Sequence, residues 1–154
     1  MSADQPSAGF ASLVCAFADF VGIDPPASDD ALGLELALGD YTARVLPDPT
    51  DITRLLVEID ICPAGEIALP AFHMLHRLNY AGRFSHSWTA CIDGDDTVVI
   101  YSRNDLATTD VGALEALIAD GLNRAAALRN MWTHASNAGA DINRAALHPG
   151  ALLG

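Results

Sequence analysis

The sequence predicts an α+β domain in which helices pack on one face of a five-stranded antiparallel sheet. Its hydrophobic patterns follow the order helix, three strands, helix, two strands, helix (α-β-β-β-α-β-β-α). Short turns such as Gly39-Asp40 and Asp93–Asp96 join consecutive strands, and connections this short favour antiparallel pairing. The rest of the chain is organised around residues 69–103, which have the pattern of a helix with two apolar faces followed by a hairpin.

Composition restricts the class of protein. The chain has 154 residues, which suits one domain with a sizeable core. A hydrophobic content of 51% excludes a wholly disordered chain, and no apolar run approaches the ~20 residues of a membrane span. The N-terminus lacks the basic cluster of a signal peptide, so we expect a cytoplasmic protein. A net charge of −12, with eight arginines and no lysine, disfavours binding to nucleic acid or to anionic membranes.

The first helix is predicted to run from residue 7 to Val21, after a flexible N-terminus of residues 1–6. Ser7 is suited to cap it, and Gly22 ends it. Its apolar stripe consists of Phe10, Leu13, Val14, Phe17, Phe20 and Val21. One face of this helix is therefore expected to pack on the sheet.

Three strands are predicted next, at Leu32–Leu38, Tyr41–Leu46 and Ile52–Ile61. Leucine occupies every even position of the first strand, which gives that strand one strongly apolar face. The third strand alternates in the same way, so we expect both to face a helical layer.

The central helix is predicted over Leu69–Tyr80, because Pro70 suits a first helical turn. One of its faces carries Phe72, Leu75, Leu78 and Asn79, and the other, half-apolar face carries Leu69, His73, His76 and Tyr80. A short helix with two faces to bury needs two neighbours. One is its own sheet, and the other could be a second copy of the chain.

A hairpin is predicted from the strands Phe84–Asp93 and Thr97–Arg103, since the first alternates with period two and the turn between them tolerates positive φ. A long last helix follows, which Thr109 or Asp110 is suited to cap.

That last helix is expected to fade near Ala135, where small and polar residues follow its apolar stripe. The predicted single domain therefore covers residues 7–135, and residues 136–154 are expected to form a flexible C-terminal tail.

Side chains that could carry chemistry do not form a convincing catalytic set. His73 and His76 lie one helical turn apart and could share a metal, but no third ligand has a matching position. The acidic turn at 93–96 lacks the later glutamate of a calcium loop. Ser85 and His86 point to opposite faces of a strand and cannot share a proton. We expect no enzymatic activity, no metal and no cofactor.

We expect more apolar side chains on the sheet than one helical layer can bury, because it cannot hide Leu56, Val98, Ile100 and Trp88 together. A monomer with a fully sufficient core is the simpler interpretation. The alternative is that one apolar surface forms a homodimer interface and another receives a partner chain.

These hydrophobic signatures together resemble a known family over roughly Phe10–Trp132. The matching elements are the opening helix Phe10–Val21, the strand Leu32–Leu38, the Leu69-Pro70 helix start with Leu75 and Leu78-Asn79, the strand end Ala90–Asp93, the strand Val98–Tyr101, and the closing helix with Ala125, Leu128 and Trp132. In this combination the chain resembles the class I type III secretion chaperones of the CesT/Tir-chaperone type.

The resemblance implies a homodimer built around Leu69–Tyr80 and Phe84–Ile92. Its interface residues would be Leu69, Phe72, His73, Leu75, His76, Tyr80, His86 and Trp88. It also implies that the N-terminal segment of a secreted effector wraps around the dimer in extended form and is later released to the secretion ATPase. The apolar patches that receive the effector would be formed by Phe17, Phe20, Leu34, Leu36 and Leu46.

Two alternatives remain open from the sequence. The same fold could serve as a regulatory or scaffold protein without a secreted client. The chain could also be a small-ligand-binding α+β protein or enzyme with a cavity between the sheet and the long helix.

Overall fold

A computed structural model describes residues 8–26, 33–67, 69–80 and 87–146 of the chain. Its elements, in order, are α1 (Ala8–Val21), β1 (Leu34–Leu38), β2 (Tyr41–Pro47), β3 (Arg54–Pro63), a 3-10 turn (Ala64–Glu66), α2 (Leu69–Tyr80), β4 (Thr89–Ile92), β5 (Thr97–Asp105) and α3 (Val111–Ala146). The predicted α+β class and element order are confirmed. The predicted N-terminal segment 1–6 lies outside the described residues.

The five strands form one antiparallel sheet in the order β1-β2-β3-β5-β4, so that β1 and β4 are its edges. Directly paired residues share a face of the sheet. Val45 pairs with Val57, and Ile59 pairs with Ile100, which places a continuous apolar row on one face.

The core lies between that face and the helices. Its largest fully buried side chains come from α1, from β2, β3 and β5, and from α3: Phe10, Val14, Val45, Leu55, Val57, Ile59, Val98, Ile100, Leu114 and Leu128. The helix α3 packs across the central strand β3, and α1 packs beside it. Among the described residues, no helix is long and apolar enough to cross a membrane.

The strand β3 begins two residues later than predicted, at Arg54 instead of Ile52. The carboxylate of Asp51 accepts hydrogen bonds from the backbone N–H and the hydroxyl of Thr53, at 3.0 and 2.6 Å, and this local turn competes with the strand. Pairing with Arg54 in turn extends β5 to Asp105.

The strand β4 is shorter than predicted, because it begins at Thr89. Residues 84–86 lie outside the described part of the chain. Ser87 and Trp88 precede the strand, and the indole of Trp88 lies buried against α3 instead of continuing the ladder.

The helix α3 is longer than predicted, since it continues beyond Ala135 to Ala146. The predicted end of this helix near Ala135 is therefore wrong, whereas the boundary between domain and tail at 135/136 stays a prediction. Alanines at 138, 140, 145 and 146 sustain helix propensity, and a single Gly139 costs only about 1 kcal/mol. Residues 147–154 lie outside the described residues.

The expected excess of apolar surface on the sheet is wrong for three of its four residues. Val98 and Ile100 are fully buried and Trp88 is 3% exposed within this one chain. The helical layer covers more of the sheet than the sequence indicates, because α3 is long and the indole of Trp88 also packs between α3 and the sheet. Three of the exposed large apolar side chains, Phe20, Val21 and Ile23, lie instead close together at the end of α1.

Candidate functional site

An apolar groove lies between the end of α1, the edge strand β1 and the first half of α3. It encloses about 560 Å³. Its lining consists of Phe17, Val21, Ile23, Glu35, Leu36, Ala37, Leu38, Glu115, Ile118, Ala119 and Leu122. We call it the α1–β1–α3 groove. Among the described residues that line it, none is basic.

The mouth of the groove carries exposed apolar side chains. Phe20 is 58% exposed, and Val21 and Ile23 are also exposed. The ring of Phe20 leans on that of Phe17, with centroids 6.3 Å apart and planes inclined at 39°. Gly22, with a positive φ of 74°, ends α1 and turns the chain so that Ile23 returns to the groove. A concentrated apolar surface of this kind marks an interaction site.

The edge strand β1 opens its backbone toward the groove. It pairs with β2 on one side, from Leu34↔Val45 to Leu38↔Tyr41, and no described strand pairs with its other side. Four consecutive residues, 35–38, line the groove although their side chains alternate between the two faces. The groove therefore follows the edge of the strand, where free backbone N–H and C=O groups can accept another strand.

The opposite face of the sheet carries a charged cluster around Arg44, which we call the Arg44 cluster. Its guanidinium lies 2.6 Å from carboxylate oxygens of both Glu58 and Asp60, 3.3 Å from Glu35 and 3.9 Å from Asp93. Four carboxylates thus surround one cation. Burial raises the pKa of Asp60, while the nearby charge of Arg44 opposes that rise.

Three members of the Arg44 cluster could geometrically hold a metal ion. Carboxylate oxygens of Glu58, Asp60 and Asp93 lie within 4.8 Å of one another. Arg44 already supplies the opposing charge at that point, and a divalent cation would have to displace its guanidinium. The arrangement is that of an ion-pair network that holds the polar face of the sheet.

The acidic turn that raised the question of a calcium loop is a hairpin turn. One oxygen of Asp93 accepts the backbone N–H groups of Asp95 and Thr97, both at 2.9 Å. Asp96 adopts a positive φ of 56°, as the sequence predicts for this turn.

The structure brings together only part of the predicted effector-binding set. Phe17 and Leu36 line the groove, and Phe20 lies beside it. Leu34 is 6% exposed and belongs to the core. Leu46 pairs with Leu56 on the opposite face of the sheet, so it is remote from the groove; alternation along β2 dictates this position.

The predicted interface set is distributed between surface and core. His73 and His76 are exposed on α2, and Phe72 is half-buried. Leu75 is 6% exposed and Trp88 is 3% exposed, so both are largely used inside the chain. His86 and the side chains of Leu69 and Tyr80 lie outside what the structure describes.

The contribution of α3 to the groove is what sequence reasoning missed. In the sequence, Ile118 and Leu122 lie on one apolar stripe of the last helix together with Leu114 and Leu117. These positions form a broad stripe, of which Ile118 and Leu122 line the groove while Leu114 lies in the core. The width of the stripe was the signal that α3 contacts a second surface.

The fold is that of the class I type III secretion chaperones: the solved structures similar to this chain include complexes of such chaperones with an effector or another partner. No family profile and no curated protein sequence matches the chain.

Three of these structures show the extent of the similarity. A chain of the ExsC–ExsE complex superposes with a TM-score of 0.70 at 21% identity, covering 84% of this chain and 97% of that one. For the HopA1–SchA chaperone–effector complex the TM-score is 0.66 at 15% identity, with 84% and 99% covered. For the Yersinia pestis chaperone SycH, in complex with a stable fragment of YscM2, the TM-score is 0.59 at 16% identity, with 77% and 98% covered.

Proposed function

We propose that this protein is an effector-binding type III secretion chaperone, which keeps the N-terminal segment of a secreted protein soluble and competent for secretion. The α1–β1–α3 groove is the observation that carries this proposal, because it combines an apolar surface with an open strand edge. The similarity of the fold to chaperones in complex with effectors supports it.

The groove suits an extended chain segment better than a compact ligand. Apolar anchors of the segment would pack on Phe17, Leu36 and Ile118, while its backbone pairs with the edge of β1. Pairing through the backbone accepts many client sequences, so the apolar side chains of the client determine which segment binds. Binding of this kind requires neither a cofactor nor bond chemistry, so we propose a protein that is not an enzyme.

The proposal includes a cytoplasmic homodimer in which α2 and the segment after it meet a second copy. The exposed histidines His73 and His76 lie on the α2 face that would form this contact. Two copies would present two grooves to one client, and release of the client to the secretion ATPase would follow.

A small-molecule ligand is the second candidate, because a groove of about 560 Å³ is within the size range of ligand sites. A regulatory or scaffold role without a secreted client would use the same surface. Neither alternative requires the open edge of β1.

Capture from the native host separates these functions. The tagged protein is purified under native conditions, its partners are identified by mass spectrometry, and each partner is truncated to find the bound segment. We expect one dominant secreted protein that is retained through its N-terminal segment. A bait recovered in good yield with only a small molecule, or with a partner bound through a folded domain, would contradict the proposal.

A further inference from the structure

We propose that Glu35 selects a basic residue in the client strand, so that the preferred client segment has the pattern apolar–Lys/Arg–apolar at the edge of β1. This inference rests on the proposed function, since it assigns a specificity to the same groove. The selected residue lies on the polar face of the added strand, which does not contact the apolar lining of the groove.

The register of the sheet places Glu35 at the end of one cross-strand row. Glu35 pairs with Arg44, Arg44 with Glu58, and Glu58 with Tyr101. Directly paired residues lie on the same face with their Cβ atoms about 5 Å apart. A strand added to the free edge of β1 therefore places one of its residues directly beside Glu35, on the face of the Arg44 cluster.

The neighbours of that residue in the client point the other way. Leu34 and Leu36 flank Glu35 and face the helical side of the sheet, where Leu36 lines the groove. Client residues on either side of the position opposite Glu35 would also turn to that side. The residue beside Glu35 is thus polar, and those next to it are apolar.

The charge of the Arg44 cluster decides which polar residue fits. Glu35, Glu58, Asp60 and Asp93 place four carboxylates around the single cation of Arg44. The shortest contacts of Arg44 go to Glu58 and Asp60, at 2.6 Å, while Glu35 is more distant at 3.3 Å and its side chain is 69% exposed. Glu35 is therefore accessible to a second cation, and an acidic client residue would meet repulsion.

The test uses three synthetic peptides and the full-length protein. Each peptide has twelve residues that alternate valine or leucine with threonine, and one central threonine is replaced by Lys, Gln or Glu. Affinities are measured by fluorescence anisotropy. An exposed ion pair changes the affinity only by a small factor. We therefore expect the Lys peptide to bind about threefold more tightly than the Gln peptide, and the Glu peptide to bind more weakly than both. The preference should decrease as salt is added.

Two variants separate a local effect from overall charge. Glu35→Lys should reverse the order of the peptides, so that the Glu peptide binds best. Glu66→Lys changes the net charge equally, but Glu66 lies exposed in the 3-10 turn after β3, outside both the Arg44 cluster and the groove, and this variant should leave the order unchanged.

The outcomes distinguish this inference from the function on which it rests. If all three peptides bind equally, or if Glu66→Lys acts like Glu35→Lys, the selectivity of Glu35 is overturned while strand binding remains. If none of the peptides binds, the proposed use of the β1 edge is overturned as well. Self-association of the protein that the peptides displace would assign the edge to a second copy and would overturn the inference.

Discussion

The indole Nε1 of Trp88 donates a hydrogen bond to Oδ2 of Asp120 at 2.8 Å, and this bond joins the residues just before β4 to the first half of α3. The same oxygen accepts a hydrogen bond from Nε of Arg124, also at 2.8 Å. Gly121 lies directly beneath the indole, where a side chain would collide with it. The position of Trp88, just before β4, is thus fixed by a glycine and a carboxylate of α3.

Gly121→Ala should destabilise the protein although alanine favours helices. A Cβ at this position would lie 2.5 Å from Cη2 of Trp88 and 2.9 Å from Cγ1 of Ile59. Overpacking of this kind costs about 1–3 kcal/mol, which exceeds the gain in helix propensity of about 1 kcal/mol. Urea unfolding followed by circular dichroism measures the change.

Gly112→Ala is the matched control in the same helix. Its Cβ would meet no atom closer than Oδ1 of Asp110 at 3.6 Å, so this variant should be neutral or more stable. Equal effects of the two alanines would show that Trp88 does not pack on Gly121 as described.

Asp120→Asn should lower the free energy of unfolding at neutral pH, by about 1 kcal/mol. The hydrogen bond from Arg124, with a further one from Trp88, lowers the pKa of Asp120, although its partial burial opposes this. A group whose pKa is lower in the folded state stabilises the fold above its unfolded pKa of about 3.9, and this contribution disappears as the pH falls through the folded pKa.

Unfolding curves at pH 7 and near pH 3 test the sign of this effect. The difference between the wild-type protein and Asp120→Asn should narrow in acid. Asp40→Asn, an exposed carboxylate in the β1–β2 turn, is the control. A gap that widens as the pH falls would contradict the assignment.

Phe20→Asp should weaken client binding by more than tenfold and leave the fold intact. Phe20 is 58% exposed at the mouth of the groove, so a charge there costs little in the free protein but cannot be buried under an apolar anchor. Isothermal titration with the captured client segment measures the loss. Ile52→Asp is matched in chemistry, because Ile52 is 68% exposed in the β2–β3 loop outside the groove. If both variants bind equally well, the client does not use the groove.

The double variant His73→Glu/His76→Glu should dissociate the proposed homodimer. Both side chains are exposed on α2, so four carboxylates would meet across a twofold interface without damage to either core. Sedimentation over a range of concentrations should show a dissociation constant at least tenfold higher. Leu75 is unsuited to this test because it is buried in its own chain, and a charge there would unfold the protein. His134→Glu, an exposed substitution on α3, is the control and should leave the dimer unchanged. If the double variant also leaves the dimer unchanged, this face of α2 is not the dimer interface.

The sequence predicts the elements of this fold better than it predicts its surfaces. Periodicity identifies α1, the hairpin and the apolar faces of β1 and β3, because these patterns are local. It cannot show that Trp88 leaves the strand pattern to pack on α3, since the partner, Gly121, lies 33 residues away. The groove likewise depends on contacts between residues that are far apart in the sequence. Phe17, Leu36 and Ile118 are each recognisable as apolar, but only the packing of three distant elements brings them together and leaves the edge of β1 open.

Hydrogen exchange on the purified complex with its client most directly tests the claim that the α1–β1–α3 groove holds an extended client segment. Our account predicts that amides of Leu34–Leu38 and of an N-terminal client segment become protected together upon binding, and that Phe20→Asp abolishes both changes. Protection confined to a folded client domain, with the exchange of β1 unchanged, would contradict it.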